Sequence, residues 1–507
     1  MVRLREPVVS GAGAAVAEHD VVIVGAGFAG IAAAWRLLEA GRGDVVVLEK
    51  ADELGGTWRD NRYPGAACDI RSDLYSFSFA PNPDWRHAYG RQEEILGYLR
   101  GVAESHGILP HIRFGTELLA AVWEEGADRW RLRTTTGELS ARVLLSGHGP
   151  FGDPSIPRIA GAESFAGVSM HSSRWDPSVP IDGARVGVIG TGASAIQVVP
   201  ELVRTAGTLT VFQRSAPWII PRHDRPTSAR RRALFRRLPV LQRLSRGTEF
   251  VLDDARWFGF ASPVLGAGIA GYARRHLRRQ VRDERLRSAL TPDYRIGCKR
   301  VLVSDDYYPA LGRPNVELVT DRIERLEPEG AVTASGRRIP LDVVVYATGF
   351  DATRPHIAER IVGAGGRTLA EVWADGMYAL RGATVPGFPN LFLLHGPNAA
   401  LSHNSAVYMI ERQVHYAVQA VTLSPADAVL EATPAAVAAY RARIGRALAR
   451  GVWSTGGCSS YYLDAGGANT FLWPYRAARF ARETRRFDPR EYTVRPSLAK
   501  AERARAS

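Results

Sequence analysis

The chain has 507 residues, too many for one core, and its 46% hydrophobic and 23% charged residues are ordinary globular values, so two or three domains are expected. A formal net charge of +13 could suit nucleic acid, but the arginines gather in 222–300 and in the tail 476–507, without interleaved aromatic residues or a zinc framework. That pattern argues for a solvated arginine-rich face and against a nucleic-acid binder.

Three widely spaced cysteines, Cys68, Cys298 and Cys458, read as thiols of a reducing cytoplasm rather than as a disulfide framework. The absence of a C-x-x-C motif also weighs against a dithiol flavin reductase. Residues 1–17 mix basic and small residues with no sustained apolar core, so they read as a flexible tail and not as a signal peptide.

From Asp20 to Val24 a β-branched run forms a strand, and Gly25, Gly27 and Gly30 complete a G-x-G-x-x-G turn into a helix over Ala32–Leu38. The next strand, "VVVLE", ends on Glu49, 24 residues beyond Gly25. Glycines let backbone approach a pyrophosphate at the helix N-terminus, and a carboxylate at this place accepts hydrogen bonds from a ribose diol. The same strand–turn–helix pattern returns at "RVGVIGTGASAIQVVPEL", where Gly190, Gly192 and Ala195 fill G-x-G-x-x-A. Here the residue 24 positions beyond Gly190 is Arg214. A guanidinium at that place favours a 2′-phosphate, which a carboxylate would repel. The first turn therefore suits the ADP half of FAD or NAD, and the second suits NADP.

Residues 225–292 mix apolar and arginine positions at helical spacing and predict a helical subdomain. Within it the uncharged stretch 257–273 carries Pro263 and four glycines, so it reads as helix of a substrate lid rather than a membrane span, with peripheral membrane contact left open. Further on, "LDVVVYATGFDA" (341–352) is a buried strand closing on Ala347-Thr348-Gly349, and "PGFPNLFLLHGPN" (386–398) is a second apolar strand between turns.

Two longer patterns carry a family resemblance. "FAGVSMHSSRWD" places Phe165, Gly167, His171, Trp175 and Asp176 in the F-x-G-x-x-x-H-x-x-x-W-[P/D] fingerprint of type I Baeyer–Villiger monooxygenases. "GGTWRDNRYPGAACD" matches that family's second fingerprint at Gly55, Gly56, Trp58, Tyr63, Pro64, Gly65 and Asp69. The chain thus resembles this class B flavoprotein monooxygenase family over roughly 20–490.

The resemblance implies an α/β fold of two Rossmann-like dinucleotide-binding domains, for FAD and NADP, with a helical insertion. The FAD domain would be built from 18–150 and 390–507, and the NADP domain from 151–389. It also implies NADPH- and O2-dependent oxygen insertion beside the carbonyl of a small-molecule ketone, giving an ester or lactone through a C4a-peroxyflavin and a tetrahedral adduct; the uncharged 257–273 segment points to an apolar, bulky one. By the same match Arg300 is the catalytic arginine, in "RIGCKRVLVSDDYYP", and Asp69 is the carboxylate that pairs with it.

Gly56, Thr57, Trp58, Tyr63 and Asp69 are then expected at the flavin, and Thr191, Ser194, Ser215 and Lys299 beside Arg214 at NADP. Phe165, Gly167, His171 and Trp175 are expected to couple domain movement rather than to act as acid or base. Two departures touch the substrate side. Tyr461 stands where relatives carry a tryptophan that contacts the nicotinamide ribose, and the stretch 398–409, expected at the pocket border, carries Ser402 where relatives often have glycine. Two other readings stay open: a monooxygenase acting on nitrogen or sulfur, whose fingerprint usually ends in tyrosine or phenylalanine, and a non-enzymatic flavoprotein scaffold.

Overall fold

The buried run Val21–Val24 lies in the larger of two parallel-rich sheets of the computed structural model, which describes residues 16–425 and 427–497. Most of the expected N-terminal tail lies outside the described residues, and Ala17 already begins the first strand, Ala17–Val24. That strand pairs in parallel with Val45–Leu48 on one side and Gly137–Ser146 on the other. Arg129–Thr134 and Leu118–Glu124 extend the sheet antiparallel. The turn after the first strand works because Gly25 has φ +93°, and a Cβ on Gly30 would stand 1.8 Å from the Gly25 carbonyl oxygen. Helix Phe28–Glu39 can therefore sit directly on the turn only with glycine there.

The second sheet is wholly parallel, in the order Val316–Val319, Thr208–Phe212, Arg185–Ile189, Val343–Tyr346, Val168–His171. Its three central strands are mostly apolar and buried, as strands covered on both faces require. Gly190 has φ +114°, and its missing Cβ would lie 2.4 Å from the Ala347 carbonyl oxygen, so glycine lets the second turn pass close to the end of Val343–Tyr346. A small antiparallel sheet, Ile323–Glu327, Gly330–Thr333 and Arg338–Pro340, flanks this unit.

The chain returns to the first sheet earlier than the expected boundary at 389. Ile361–Val362 pairs with Ala121–Val122, and Ile357, Leu369, Trp373, Val385 and Phe388 pack in the same core as Trp123 and Trp130. Leu391–Leu393 then adds in parallel beside Leu144–Ser146. The sequence cue was the stronger strand at 386–398, whereas the two-residue strand carries too little pattern to be read alone.

Five helices fill most of 225–292: Ala229–Arg237, Pro239–Ala255, Trp257–Ala261, Pro263–Gln280 and Glu284–Ala289. Ser228, Ser262 and Asp283 cap three of them by accepting from Arg231 N, Leu265 N and Leu286 N. Ser262-Pro263 splits the uncharged stretch into two helices, and no helix among the described residues is long and apolar enough to cross a membrane.

One reading of the cysteines is corrected. Cys298 and Cys458 form a disulfide across 160 residues, and only Cys68 is free and buried. Linear spacing hid the pairing because tertiary folding brings together the segment before Lys299 and the segment before Tyr461. Denatured, unreduced protein should therefore titrate one thiol with Ellman's reagent and three after reduction; three before reduction would rule the bond out.

Candidate active site

Both glycine turns open onto one cleft of about 1450 Å³, larger than the few hundred to about 1,000 Å³ of a single small-ligand pocket. The first turn contributes Gly25 and Gly27, and Glu49 from the end of Val45–Leu48. Glu49 is buried and anchored through both oxygens: Oε2 accepts from Ala26 N (2.8 Å), while Oε1 accepts from Ala51 N (3.1 Å) and Arg59 Nη1 (2.7 Å), which leaves Oε2 able to accept once more. Arg59, not anticipated from the motif, thus orients the carboxylate that faces the ribose position. Gly56 (φ +52°) lets the fingerprint loop run against Gly27, and Thr57 opens the short helix Thr57–Asp60. Trp58 donates its indole N–H to Tyr75 Oη (3.1 Å), and Tyr75 meets Phe28 edge-on, which fixes an aromatic wall beside the first turn.

The loop then crosses to the second unit. Tyr63 Oη donates to Gln197 Oε1 (2.8 Å), and Gln197 Nε2 donates to the Ala67 carbonyl (2.9 Å). Gln197 lies in helix Ala195–Leu202 directly after the second turn, so one side chain ties the two dinucleotide units together. The fingerprints do not mark it, and nothing in its linear neighbourhood distinguishes it from a helix-surface glutamine. Burial pushes the Tyr63 hydroxyl up to about 12, so it remains a donor at neutral pH.

Asp69 ends the loop against Arg300. Nε reaches Oδ2 at 2.6 Å and Nη2 reaches Oδ1 at 2.7 Å, a two-pronged pair between residues 231 apart. A third contact runs from Arg300 Nη1 to the Leu401 carbonyl (3.4 Å). About a quarter of Asp69 and a fifth of Arg300 remain open to the cleft. Burial alone would raise the Asp69 carboxyl, but the charge and hydrogen bonds of Arg300 outweigh it and hold it below its ordinary value. Burial alone would likewise lower Arg300, and Asp69 reverses that. Both groups are charged across the physiological range. Arg222, a second cation near the carboxylate, donates to the Cys68 carbonyl (3.0 Å) and stacks over Tyr89.

At the second turn Gly190, Thr191, Gly192 and Ser194 line the cleft, and a Cβ on Gly192 would meet no atom within 4 Å. Thr191 donates to the Ser215 carbonyl (3.0 Å), and Lys299 Nζ donates to Ser215 Oγ (2.6 Å). Burial, followed by the charge of Arg214, lowers the Lys299 ammonium. The two cations thus lie close enough at the edge of the glycine turn for the charge of one to act on the other. Gly30 and Ala195, expected at the cofactors, do not line the cleft; they support the turns from behind.

The fingerprint that runs from Phe165 to Trp175 lies off the cleft as well. His171 is buried: its Nδ1 accepts from Ser173 N (3.1 Å), which leaves Nε2 to donate to the Gly349 carbonyl (3.0 Å). Burial lowers its pKa, so the ring is neutral and works as a strut between Val168–His171 and the Ala347-Thr348-Gly349 turn. Phe165 and Trp175 are core residues, and a Cβ on Gly167 would strike the Asp342 carbonyl oxygen at 2.2 Å.

Tyr461 borders the cleft, 42% exposed, and meets Phe471 edge-on. The stretch 398–409 borders it through Ala400, Leu401, Asn404 and Ala406, while the Ser402 hydroxyl turns inward. His395, which sequence reading passed over, does line the cleft, and burial lowers its pKa to about 4.

Residues 22–232 match the family described as pyridine nucleotide-disulphide oxidoreductase. A Baeyer–Villiger monooxygenase of Streptomyces coelicolor is 45% identical over 496 residues, which cover 96% of this chain and 96% of that protein. A Baeyer–Villiger monooxygenase of Pseudomonas aeruginosa is 41% identical over 499 residues, covering 97% and 95%. The chain belongs to the Baeyer–Villiger monooxygenase family.

Among solved structures, an oxidized steroid monooxygenase bound to NADP superposes with a TM-score of 0.82 at 33% identity, covering 93% of this chain and 97% of that one. A closed cyclohexanone monooxygenase gives 0.85 at 26% identity, covering 95% and 100%. As a Baeyer–Villiger monooxygenase the chain is an FAD-dependent, NADPH- and O2-using oxidoreductase that inserts oxygen beside a ketone carbonyl. Its residues fit both nucleotides: two close glycine turns, the second with open space at Gly192, a buried carboxylate after one and two cations after the other. The Cys298–Cys458 disulfide is not a reductase dithiol, since its cysteines lie outside the matched 22–232 region and 160 residues apart.

Gly30→Ala would drive a methyl into the Gly25 carbonyl and should yield protein that folds with little bound flavin. The ratio of flavin to protein absorbance checks this, and a full complement of FAD would refute the packing argument.

Proposed function

We propose that this chain oxidises an apolar ketone, with Arg300 as the catalytic residue and Asp69 as the group that positions it. The observation that carries the reading is the two-pronged Arg300–Asp69 pair set between the two glycine turns, with part of the guanidinium still open to the cleft. Bound flavin, once reduced by NADPH, supplies the electrons that activate O2. The protein's share is electrostatic. Negative charge builds on oxygen as the carbonyl is attacked, and a fixed guanidinium in a water-poor site stabilises it without reorganising. Asp69 uses Nε and Nη2, which leaves Nη1, only weakly engaged at the Leu401 carbonyl, as the donor free to turn toward the reacting atoms.

Lys299 and Arg214 hold the 2′-phosphate in this reading, Ser215 aims Lys299, and Tyr461 supplies the flat surface beside the nicotinamide. His171 is assigned to coupling the units, supported by its bond to Gly349. A cytoplasmic setting, where NADPH is regenerated, is part of the proposal. Oxygenation of nitrogen or sulfur would leave the Arg300–Asp69 pair without a task, so a ketone is preferred over an amine or sulfide.

Arg300→Ala should retain FAD and NADPH oxidation but release hydrogen peroxide in place of ester. Gas chromatography over ketone, amine and sulfide panels reads this out, and normal ester formation would sink the catalytic assignment. Arg214→Ala should lower the NADPH-to-NADH ratio of kcat/KM by about tenfold or more, as loss of a two-pronged phosphate contact predicts. An unchanged ratio would remove Arg214 from the phosphate site.

A further inference from the structure

The helical segment has its amphipathicity reversed. Helix Pro239–Ala255 turns its polar face inward: Gln242 Nε2 donates to Asp73 Oδ1 (3.2 Å) and to the Asn82 carbonyl (2.6 Å), and Arg246 donates to the carbonyls of Asp73, Leu74 and Ser76. Asp254, fully buried, accepts from Arg476 Nε (3.0 Å) and Ala477 N (2.6 Å). Those bonds fix the helix rotation, so its apolar side must face solvent. Val240, Leu244 and Val251 recur at helical spacing on that side, with Leu244 62% exposed and Leu252 beside them 61% exposed. Phe258 in the next short helix is also exposed, as are Val264 (80%), Leu265 and Tyr272 on helix Pro263–Gln280. A soluble surface rarely leaves this many large apolar side chains bare on consecutive helices.

Charge accompanies them. Between 225 and 292 stand 16 arginines against 5 carboxylates, a surplus of 11 in a chain whose whole surplus is 13. Arg237, Arg243, Arg275, Arg278 and Arg279 are exposed and form no ion pair among the described residues. On helix Pro263–Gln280 the exposed positions change from apolar in the first turns to arginine in the last two.

We infer that this helical segment is a docking surface for an anionic lipid membrane, with the apolar side chains entering the headgroup–acyl boundary and the arginines meeting lipid phosphates. A second copy of this chain is the poorer occupant, because it would press two strongly positive faces together. None of these residues belongs to the cofactor cleft, so the inference stands apart from the ketone reading.

Co-sedimentation of the FAD-loaded enzyme with vesicles tests it. Vesicles of phosphatidylcholine with phosphatidylglycerol should bind roughly tenfold or more better than pure phosphatidylcholine, and salt should weaken the binding. Leu244→Glu with Leu265→Glu should abolish binding while flavin content and NADPH oxidation stay unchanged. Should that pair misfold, Arg275→Glu with Arg278→Glu and Arg279→Glu should give the same loss. Equal or absent binding to both vesicles overturns the inference, as does undiminished binding by both variants. A salt-stable dimer that Leu244→Glu dissociates would hand the face to a second copy.

Discussion

Arg300 and Asp69 come from segments 231 residues apart, and they meet in the cleft that both glycine turns line. Withdrawing a carboxylate and a guanidinium from water costs several kcal/mol per ion, offset only by close, directional contact. The pair meets that condition with two short hydrogen bonds, and burial of either charge is tolerable only while the other stays in place. The fingerprint loop and the Lys299–Arg300 segment must therefore be registered against one another to within a hydrogen bond. Neighbouring ties serve that registry. Gln197 clamps the same loop to the second turn, and the Cys298–Cys458 bond joins the Arg300 segment to the one carrying Tyr461.

The two glycine turns show how similar backbone serves two nucleotides. Each strand ends on a positive-φ glycine, and each turn is backed by a neighbouring strand or helix that tolerates no Cβ. What differs is the side chain beyond the second strand. Glu49 is held by Arg59 and backbone amides, whereas Arg214 stands exposed near Lys299 with Ser215 between. The two turns thus share a scaffold and differ in the local charge beside it, the feature on which the proposed discrimination of a free ribose from its phosphate rests.

His171 illustrates how residue type misleads when read as chemistry. A histidine in a fingerprint suggests proton transfer, yet here both ring nitrogens are used structurally, one accepting from Ser173 and one donating to Gly349. Burial keeps the ring neutral, so it is a strut whose length sets the distance between two strand ends.

The sequence by itself determined the two strand–turn–helix units, the opposite charges at residues 49 and 214, the family, and the loop ending on Asp69. All of these are local patterns, in which spacing along the chain equals spacing in space. It missed Gln197, Arg59 and His395, and it read Cys298 and Cys458 as thiols, because a contact between distant segments leaves no periodic trace in either. It also misplaced the return to the first sheet, where a two-residue strand has no pattern of its own. Only the tertiary structure decided which face of helix Pro239–Ala255 is wet. The sequence presents apolar residues on one side and polar ones on the other, and ordinary packing would bury the apolar side. The hydrogen bonds of Gln242, Arg246 and Asp254 to distant loops turn the helix the other way, and such bonds form only once the whole chain is in place.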